Sequence, residues 1–364
     1  MKKIKVKLQQ NPYNIFVCKD CITQLREVVE KEKYHSNILA VIDKNIYTIY
    51  KKKIEQFLTP PMGKFTFLQL DASESKKSLS AVSKIYSSLV LSNYGRDTLI
   101  LAIGGGIIGD VAGFAAATYA RGVQYIQVPT TLLAAVDSSV GGKTGVNFGD
   151  TKNIIGAFYQ PKAVLVDTSF FGTLPKSEII SGMGEVIKYA FLTDKNFFDY
   201  VSKNFDKIIE LDDKVITKVI SESVSYKGDV VVNDERETSG VRKILNLGHT
   251  FAHAIEVDSK HRIKHGAAVI VGIGISLFLS HKLGIMKEKE LEQGIELIKK
   301  ASTYIKVKNY SIDNMLKIMK RDKKSMNEQY RFVLTKEIGK ILVDMEAEND
   351  DIIYAIKEGM KLFE

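Results

Sequence analysis

The chain has 364 residues, 45% of them hydrophobic and 26% charged, with a formal charge of +9. That length holds two ordinary domains with real cores, and the composition excludes a disordered, collagen-like or disulfide-scaffold chain. The basic residues are scattered rather than clustered with aromatics, which argues against a nucleic-acid binder and for a solvated surface with a few cations available to an anionic small molecule.

In chain order, the amino-terminal MKKIKVKLQQ is charged but has no apolar core, so no signal peptide is expected. The longest apolar run, 267–279, is too short to span a bilayer and reads as a buried helix. A cytoplasmic protein without a membrane partner is therefore expected. Cys18 and Cys21 form CKDC, with no second pair to complete a zinc site and no thioredoxin-like context, and are read as incidental.

Strands are predicted at 38–43, 65–71, 98–103, 125–129 and 163–167, with helices over 76–91 and 111–120. Such alternation predicts a parallel sheet covered by helices. Within it, LAIGGGIIGD places Gly104, Gly106 and Gly109 in a G-x-G-x-x-G turn. The usual dinucleotide fingerprint also needs an acidic residue about 20 positions on, at the end of the next strand. Here that strand ends in Pro129, Thr130 and Thr131, so the ribose partner is missing from its usual place.

The stretch VDSSVGGKTGVNFGDTKNIIGAFYQP holds Asp137, Lys143, Lys152 and Asn153 among glycines. Asp137 occupies the place of the first glycine of a phosphate loop, which argues against an ATPase. The stretch reads as a glycine-rich loop that holds anions through lysines.

From about residue 177 the pattern becomes mostly helical, with apolar residues three and four apart, and one hairpin-like run, YRFVLTKEIGKILVDM. Two domains are expected, 1–174 and 175–364. SGMGEVIKYA sets Glu185 and Lys188 one turn apart, and NLGHTFAHAIE sets His249 and His253 on one helix face, with His265 opening the next helix. Two histidines and a carboxylate with an open position make a zinc site able to bind a hydroxyl or carbonyl oxygen. Spacing alone does not choose among the three histidines. Upstream lie Lys227, Arg242 and Asn246. Arginine suits planar recognition of a carboxylate. Helical spacing predicts that Arg242, Asn246 and His249 face one way.

Taken together, GGGIIGDVAGF, RGVQYIQVPTTLLAAVDSSVGGKTGVN, KNIIGAFYQP, TLP, GEVIKYA, DERET, LNLGHTFAHAIE and HG follow in an order and at a spacing that resemble the 3-dehydroquinate synthases, of the sugar phosphate cyclase family. These runs span roughly the central half of the chain. The resemblance implies an α/β fold: an N-terminal Rossmann-like parallel-sheet NAD-binding domain, then a mainly α-helical metal- and substrate-binding domain. It places the ribose partner on an earlier strand, at Asp43 and Asn45, with Glu74 and Lys77 beside them. The rest of the NAD site is implied at Gly105, Gly106, Ile107, Ile108, Gly109 and Asp110, at Thr130 and Thr131, and at Lys143, Lys152, Phe170 and Thr173.

By the same resemblance Glu185, His249 and His265 hold one divalent metal, zinc or cobalt, while His253 faces substrate. Asp137, Lys143, Lys152, Asn153, Lys188, Lys227, Arg242, Asn246 and Lys340 match the substrate-site positions. Arg121 matches an arginine that reaches the neighbouring subunit's substrate phosphate, which implies a homodimer. The implied reaction turns 3-deoxy-D-arabino-heptulosonate 7-phosphate into 3-dehydroquinate and phosphate. It does so by transient NAD-dependent oxidation, phosphate elimination, re-reduction and aldol closure.

The match departs at three points: DERETSGVR is one residue longer than usual, Ala267 stands where glutamate is common, and TLPKSE lacks a usual arginine. A glycerol-dehydrogenase-like alcohol dehydrogenase shares the glycine turn and a histidine-rich helical domain, but DSSVGGKTG and KNIIGAFYQP argue against it. Another sugar phosphate cyclase is the remaining alternative, and Lys227 with Arg242 favours a substrate bearing a carboxylate.

Overall fold

Aliphatic and β-branched runs closed by Asp, Gly or Pro make the central strands of the first part of the chain. In order the strands are β1 (Lys2–Val6), β2 (Tyr13–Cys18), β3 (Asn37–Asp43), β4 (Lys64–Leu70), β5 (Thr98–Gly104), β6 (Gln124–Pro129), β7 (Lys143–Phe148), β8 (Thr151–Phe158) and β9 (Ala163–Asp167). This computed structural model describes residues 1–31, 37–58, 64–149, 151–321 and 330–364. One compact unit joins Met1–Leu174 with Ile216–Arg236, and a second joins Pro175–Val215 with Glu237–Glu364. Ile216–Arg236, which lies in sequence beyond the expected boundary at 174, thus groups with the first unit.

Seven strands form one sheet in the order β1-β2-β9-β6-β5-β3-β4. β1 runs antiparallel to β2, and the other neighbours are parallel. β5 and β9 are buried along their whole length, which is why they read as continuous apolar runs rather than alternating ones. β3 and β5 are neighbours, with Ile42 opposite Ile103. The chain leaves β3 for β4 on one side and β5 for β6 on the other. The carboxyl ends of strands at such a reversal are where open α/β sheets hold ligands.

The stretch expected to be a glycine-rich loop is instead a π-helical turn, Ala134–Ser138, followed by the antiparallel hairpin β7–β8. Gly145 and Gly156 serve close packing across the hairpin. A Cβ on Gly156 would lie 2.2 Å from Thr144 O across the hairpin. The helix Gly106–Thr118 packs on β7 at Gly113, where a Cβ would lie 2.5 Å from Thr144 Cγ2. Cys18 and Cys21, read from sequence as incidental, form a disulfide.

The second unit is mainly helical, as expected. Its central helix, His265–Lys282, packs against Lys176–Leu192, His249–Asp258, Glu288–Ser302 and Asn349–Met360. A helix covered on all sides is apolar on all sides. By length and composition it passes for a membrane span, but 72% of it is buried inside the protein. The expected hairpin is present as β10 (Arg331–Glu337) and β11 (Lys340–Glu346), with Phe332 stacked on Phe251 at 5.1 Å.

Candidate active site

The carboxyl ends of β3, β5 and β6 carry residues that the resemblance assigns to a nucleotide site. After β5 the chain turns through Gly105 into the helix Gly106–Thr118 with no side-chain cap. The first amides of that helix have no intrahelical acceptor, and together with the helix dipole they make an anion-binding end. Glycine eases close approach here: a Cβ on Gly106 would lie 2.9 Å from Ser138 Oγ, and one on Gly109 2.7 Å from Gln127 Oε1. Ile107 and Ile108 follow the turn and pack toward the core of the first unit. Thr130 N–H donates to Gly104 O at 2.9 Å, and Thr131 Oγ1 accepts from Ala134 N–H at 3.2 Å. The Thr130 hydroxyl is buried with no hydrogen-bond partner among the described residues.

Asp43 closes β3, next to β5. Burial raises its carboxyl pKa above the ordinary value, against the lowering effect of backbone amides that include Asn45 N–H, 2.8 Å from Oδ1. Asn45 itself is exposed. Phe170 is buried, 4.9 Å from the Tyr50 ring, and the exposed Thr173 hydroxyl lies 3.1 Å from the Tyr50 hydroxyl. A glycine-lined helix end, the unsatisfied Thr130 hydroxyl and an acid on the adjoining strand fit a dinucleotide.

Buried Lys77 donates to Asp110 Oδ2 and to Asn153 Oδ1, both at 2.5 Å. Burial raises the Asp110 pKa, and the Lys77 ammonium pulls it the other way. Glu74 accepts from Asn147 Nδ2 at 2.8 Å. Asp137, on the π-helical turn, receives Lys227: Nζ lies 2.9 Å from Oδ2 and donates to the main-chain oxygen at 2.9 Å. Lys143 and Lys152 are exposed on the hairpin.

Three segments of the second unit converge on one point. Glu185 is buried within the helix Lys176–Leu192, and His249 and His265 each open a helix. Their Nε2 atoms lie 3.6 and 3.5 Å from Glu185 Oε1. One ligand atom from each residue falls within 4.8 Å of the other two. Main-chain contact at glycines brings them together. A Cβ on Gly184 would lie 2.1 Å from Gly266 O, one on Gly266 1.6 Å from Ser181 O, and one on Gly272 2.2 Å from Gly248 O. Glu185 follows Gly184, His249 follows Gly248, and His265 precedes Gly266.

The imidazoles are oriented by their other nitrogens. His249 Nδ1 lies 3.1 Å from Leu247 O, and His265 Nδ1 lies 3.4 Å from Glu256 Oε2. Acceptors there hold the proton on Nδ1, so a cation that displaces any Nε2 proton meets the lone pair of that nitrogen. Burial drives the His249 pKa down to about 4, against the charge of Glu185. Burial would lower His265 too, but hydrogen bonds and charge from Glu185 and Glu256 prevail and push it up to about 10. Buried Lys188 pairs with Glu185 Oε2. Two imidazole nitrogens and a carboxylate oxygen suit one divalent cation such as zinc or cobalt, with coordination positions to spare.

Two family models match in succession: 3-dehydroquinate synthase N-terminal over residues 67–181 and 3-dehydroquinate synthase C-terminal over residues 182–325. A 3-dehydroquinate synthase of Chlorobaculum parvum (strain DSM 263 / NCIMB 8327) is 37% identical over 357 residues, covering 96% of this chain and 97% of that protein. The chain belongs to the 3-dehydroquinate synthase family. Its fold is also that of 2-deoxy-scyllo-inosose synthase, solved with carbaglucose-6-phosphate, NAD+ and Co2+, at a TM-score of 0.89, 23% identity and coverage of 98% and 100% of the two chains. The 2-epi-5-epi-valiolone synthase ValA of Streptomyces hygroscopicus subsp. jinggangensis 5008, solved with NAD+ and Zn2+, gives a TM-score of 0.87, 24% identity and coverage of 98% of each chain.

Other residues matched to the synthase pattern lie in varied local settings. Arg242 and Asn246 lie on a 3-10 turn, Val241–Asn246, and a new helix starts at His249. The single face expected for Arg242, Asn246 and His249 is therefore absent. The left-handed backbone of Gly248 (φ 77°) ends the turn and redirects the chain. Arg242 is buried, with Nε 3.6 Å from Glu237 Oε1, whereas Asn246 is exposed. His253 is half-buried, one turn beyond His249. Lys340 is exposed at the hairpin turn and paired with Glu337. Arg121 is exposed, with φ 68° between Ala120 (φ 49°) and Gly122 (φ 120°). Two successive non-glycine residues in the left-handed region are costly backbone. The extra residue near Ser239 falls beyond the helix Asp213–Asn233, so Lys227 keeps its helical place.

The sequence reading gave no role to Glu256 or to the Leu247 carbonyl. Glu256 lies seven residues after His249, on the same helix face as His249 and His253, and that spacing was the available signal. The glycine contacts yield a prediction. Gly184→Ala forces the helices apart at Gly266, and divalent-cation affinity by calorimetric titration should fall at least ~10-fold. Affinity equal to the parent would show that the contact does not set the cluster.

Proposed function

We propose that this chain is a 3-dehydroquinate synthase, a carbon–oxygen lyase acting on 3-deoxy-D-arabino-heptulosonate 7-phosphate with NAD+ and one divalent cation, zinc or cobalt. The observation that carries the reading is the convergence of Glu185, His249 and His265, with both histidines presenting Nε2, in a chain related to such synthases over nearly its full length. When bound, NAD+ supplies a reversible hydride acceptor and the cation a Lewis acid for substrate oxygens.

The protein's own groups bind, orient and move protons. The amides and glycines after β5 take the dinucleotide pyrophosphate, Asp43 and Asn45 its ribose side, and Phe170 with Thr173 flank it. Asp137 Oδ2, held by Lys227, accepts the proton of the alcohol to be oxidised. Lys143, Lys152 and Lys188 orient the phosphate, whose own oxygen takes the adjacent carbon-bound proton as it leaves. Asn153 Oδ1 is already committed to Lys77, so its amide group is the donor offered to substrate. Arg242 and Lys227 hold the carboxylate, and Asn246, His253 and Lys340 complete the polar lining. The cytoplasm is the proposed location.

The direct test is incubation with the heptulosonate phosphate and sub-stoichiometric NAD+. Phosphate released should exceed the cofactor many times over, with no build-up of NADH. NADH absorbance rising in step with product would mark a dehydrogenase instead.

The proposed assembly is a homodimer in which Arg121 reaches the partner's substrate phosphate, a reading supported by its exposed, left-handed loop. Arg121→Ala and His249→Ala should each be nearly inactive alone. Mixing them should restore activity, since one site of each heterodimer then has both residues intact. No recovery, with subunit exchange confirmed, would place Arg121 in its own chain's site or in none.

A further inference from the structure

Pairing of the hairpin is irregular at one place. Val146 pairs with Ile155 and Phe148 with Thr151, so Asn147 alone stands opposite Lys152, Asn153 and Ile154. This bulge carries two residues that the proposed function uses, and bulges commonly re-aim side chains beside active sites. Asn153 is left-handed there (φ 54°).

Asn147 meets the bulge and the turn Glu74–Lys77 at once. Its Oδ1 accepts from Asn153 N–H at 2.9 Å, and its Nδ2 donates to Glu74 Oε1 at 2.8 Å. Its main-chain N–H donates to Lys77 O at 2.9 Å, and Lys77 Nζ in turn donates to Asn153 Oδ1. Asn153 is thus held at its amide by Asn147 and at its side chain by Lys77. An asparagine suits this position because one side chain supplies both an acceptor and a donor.

We propose that Asn147 is a positioning residue: it templates the bulge that presents Lys152 and Asn153 and ties that bulge to the Glu74–Lys77 turn. The part played in catalysis rests on the proposed function, whereas the templating does not. In Asn147→Ala, exchange of the Asn153 amide with deuterium should accelerate roughly tenfold while the melting temperature holds, as expected for loss of a hydrogen bond. KM for the heptulosonate phosphate should rise by about the same factor with little change in kcat, because the bulge contributes to ground state and transition state alike. Asn147→Asp combined with Glu74→Gln keeps the acceptor for Asn153 N–H and restores a donor–acceptor pair across the Glu74 contact, so this double variant should retain slow exchange.

Unchanged exchange and KM in folded Asn147→Ala, or equal acceleration in the Asn147→Asp/Glu74→Gln double variant, would overturn the proposal. If Asn147→Ala does not fold, Glu74→Ala decides: removing this exposed tether should speed Asn153 exchange severalfold, and a parental rate would overturn the proposal. A parent protein with no turnover would sink the proposed function alone, since the exchange result would still judge Asn147.

Discussion

Main-chain contact at glycine is the constraint on which the cluster of Glu185, His249 and His265 depends. A metal cluster made of one mid-helix residue and two helix-opening residues needs three backbones closer than side-chain packing allows. Gly184 and Gly266 let two helices touch, and Gly272 admits the Gly248 carbonyl to the central helix. Each ligand is a chain neighbour of one of these glycines, so little side-chain freedom is left to absorb an error. The same economy orders the other unit, where Gly106 and Gly109 let the nucleotide-side helix lie close against its neighbours.

Buried or half-buried charge pairs are the second theme. Lys188 with Glu185, Lys77 with Asp110 and Lys227 with Asp137 each remove an ammonium from water and restore it only a partner. Such pairs are weak contributors to stability, because desolvation offsets most of the Coulomb gain. Their value lies in position. They hold Glu185 and Asp137, which the proposed chemistry uses, while burial raises the Asp110 pKa against the pull of Lys77.

The core strands and the long apolar helix were legible because their signals are local: continuous apolar runs and caps. The missing ribose acid was legible only as an absence. The residue proposed in its place, Asp43, depends on strand order, since it ends β3 beside β5, and pairing order is not a local property. The β7–β8 hairpin was misread because its glycines look like loop glycines until the facing strand is present. Arg242 and Asn246 were assigned to one helical face because periodicity does not register the break at Gly248. The residues Glu185, His249 and His265 could be proposed from type and spacing, and the choice among the histidines came from family resemblance. The glycine contacts that assemble them depend on how distant helices pack, which one sequence does not display.

The central claim is that those contacts deliver Glu185, His249 and His265 to a single cation. Anomalous diffraction from crystals soaked in Co2+ tests it most directly. The account predicts one strong site bonded to Glu185 and to Nε2 of both histidines, with Nδ1 of His265 still on Glu256. A cobalt peak bonded elsewhere, or one that leaves out any of the three, would contradict it.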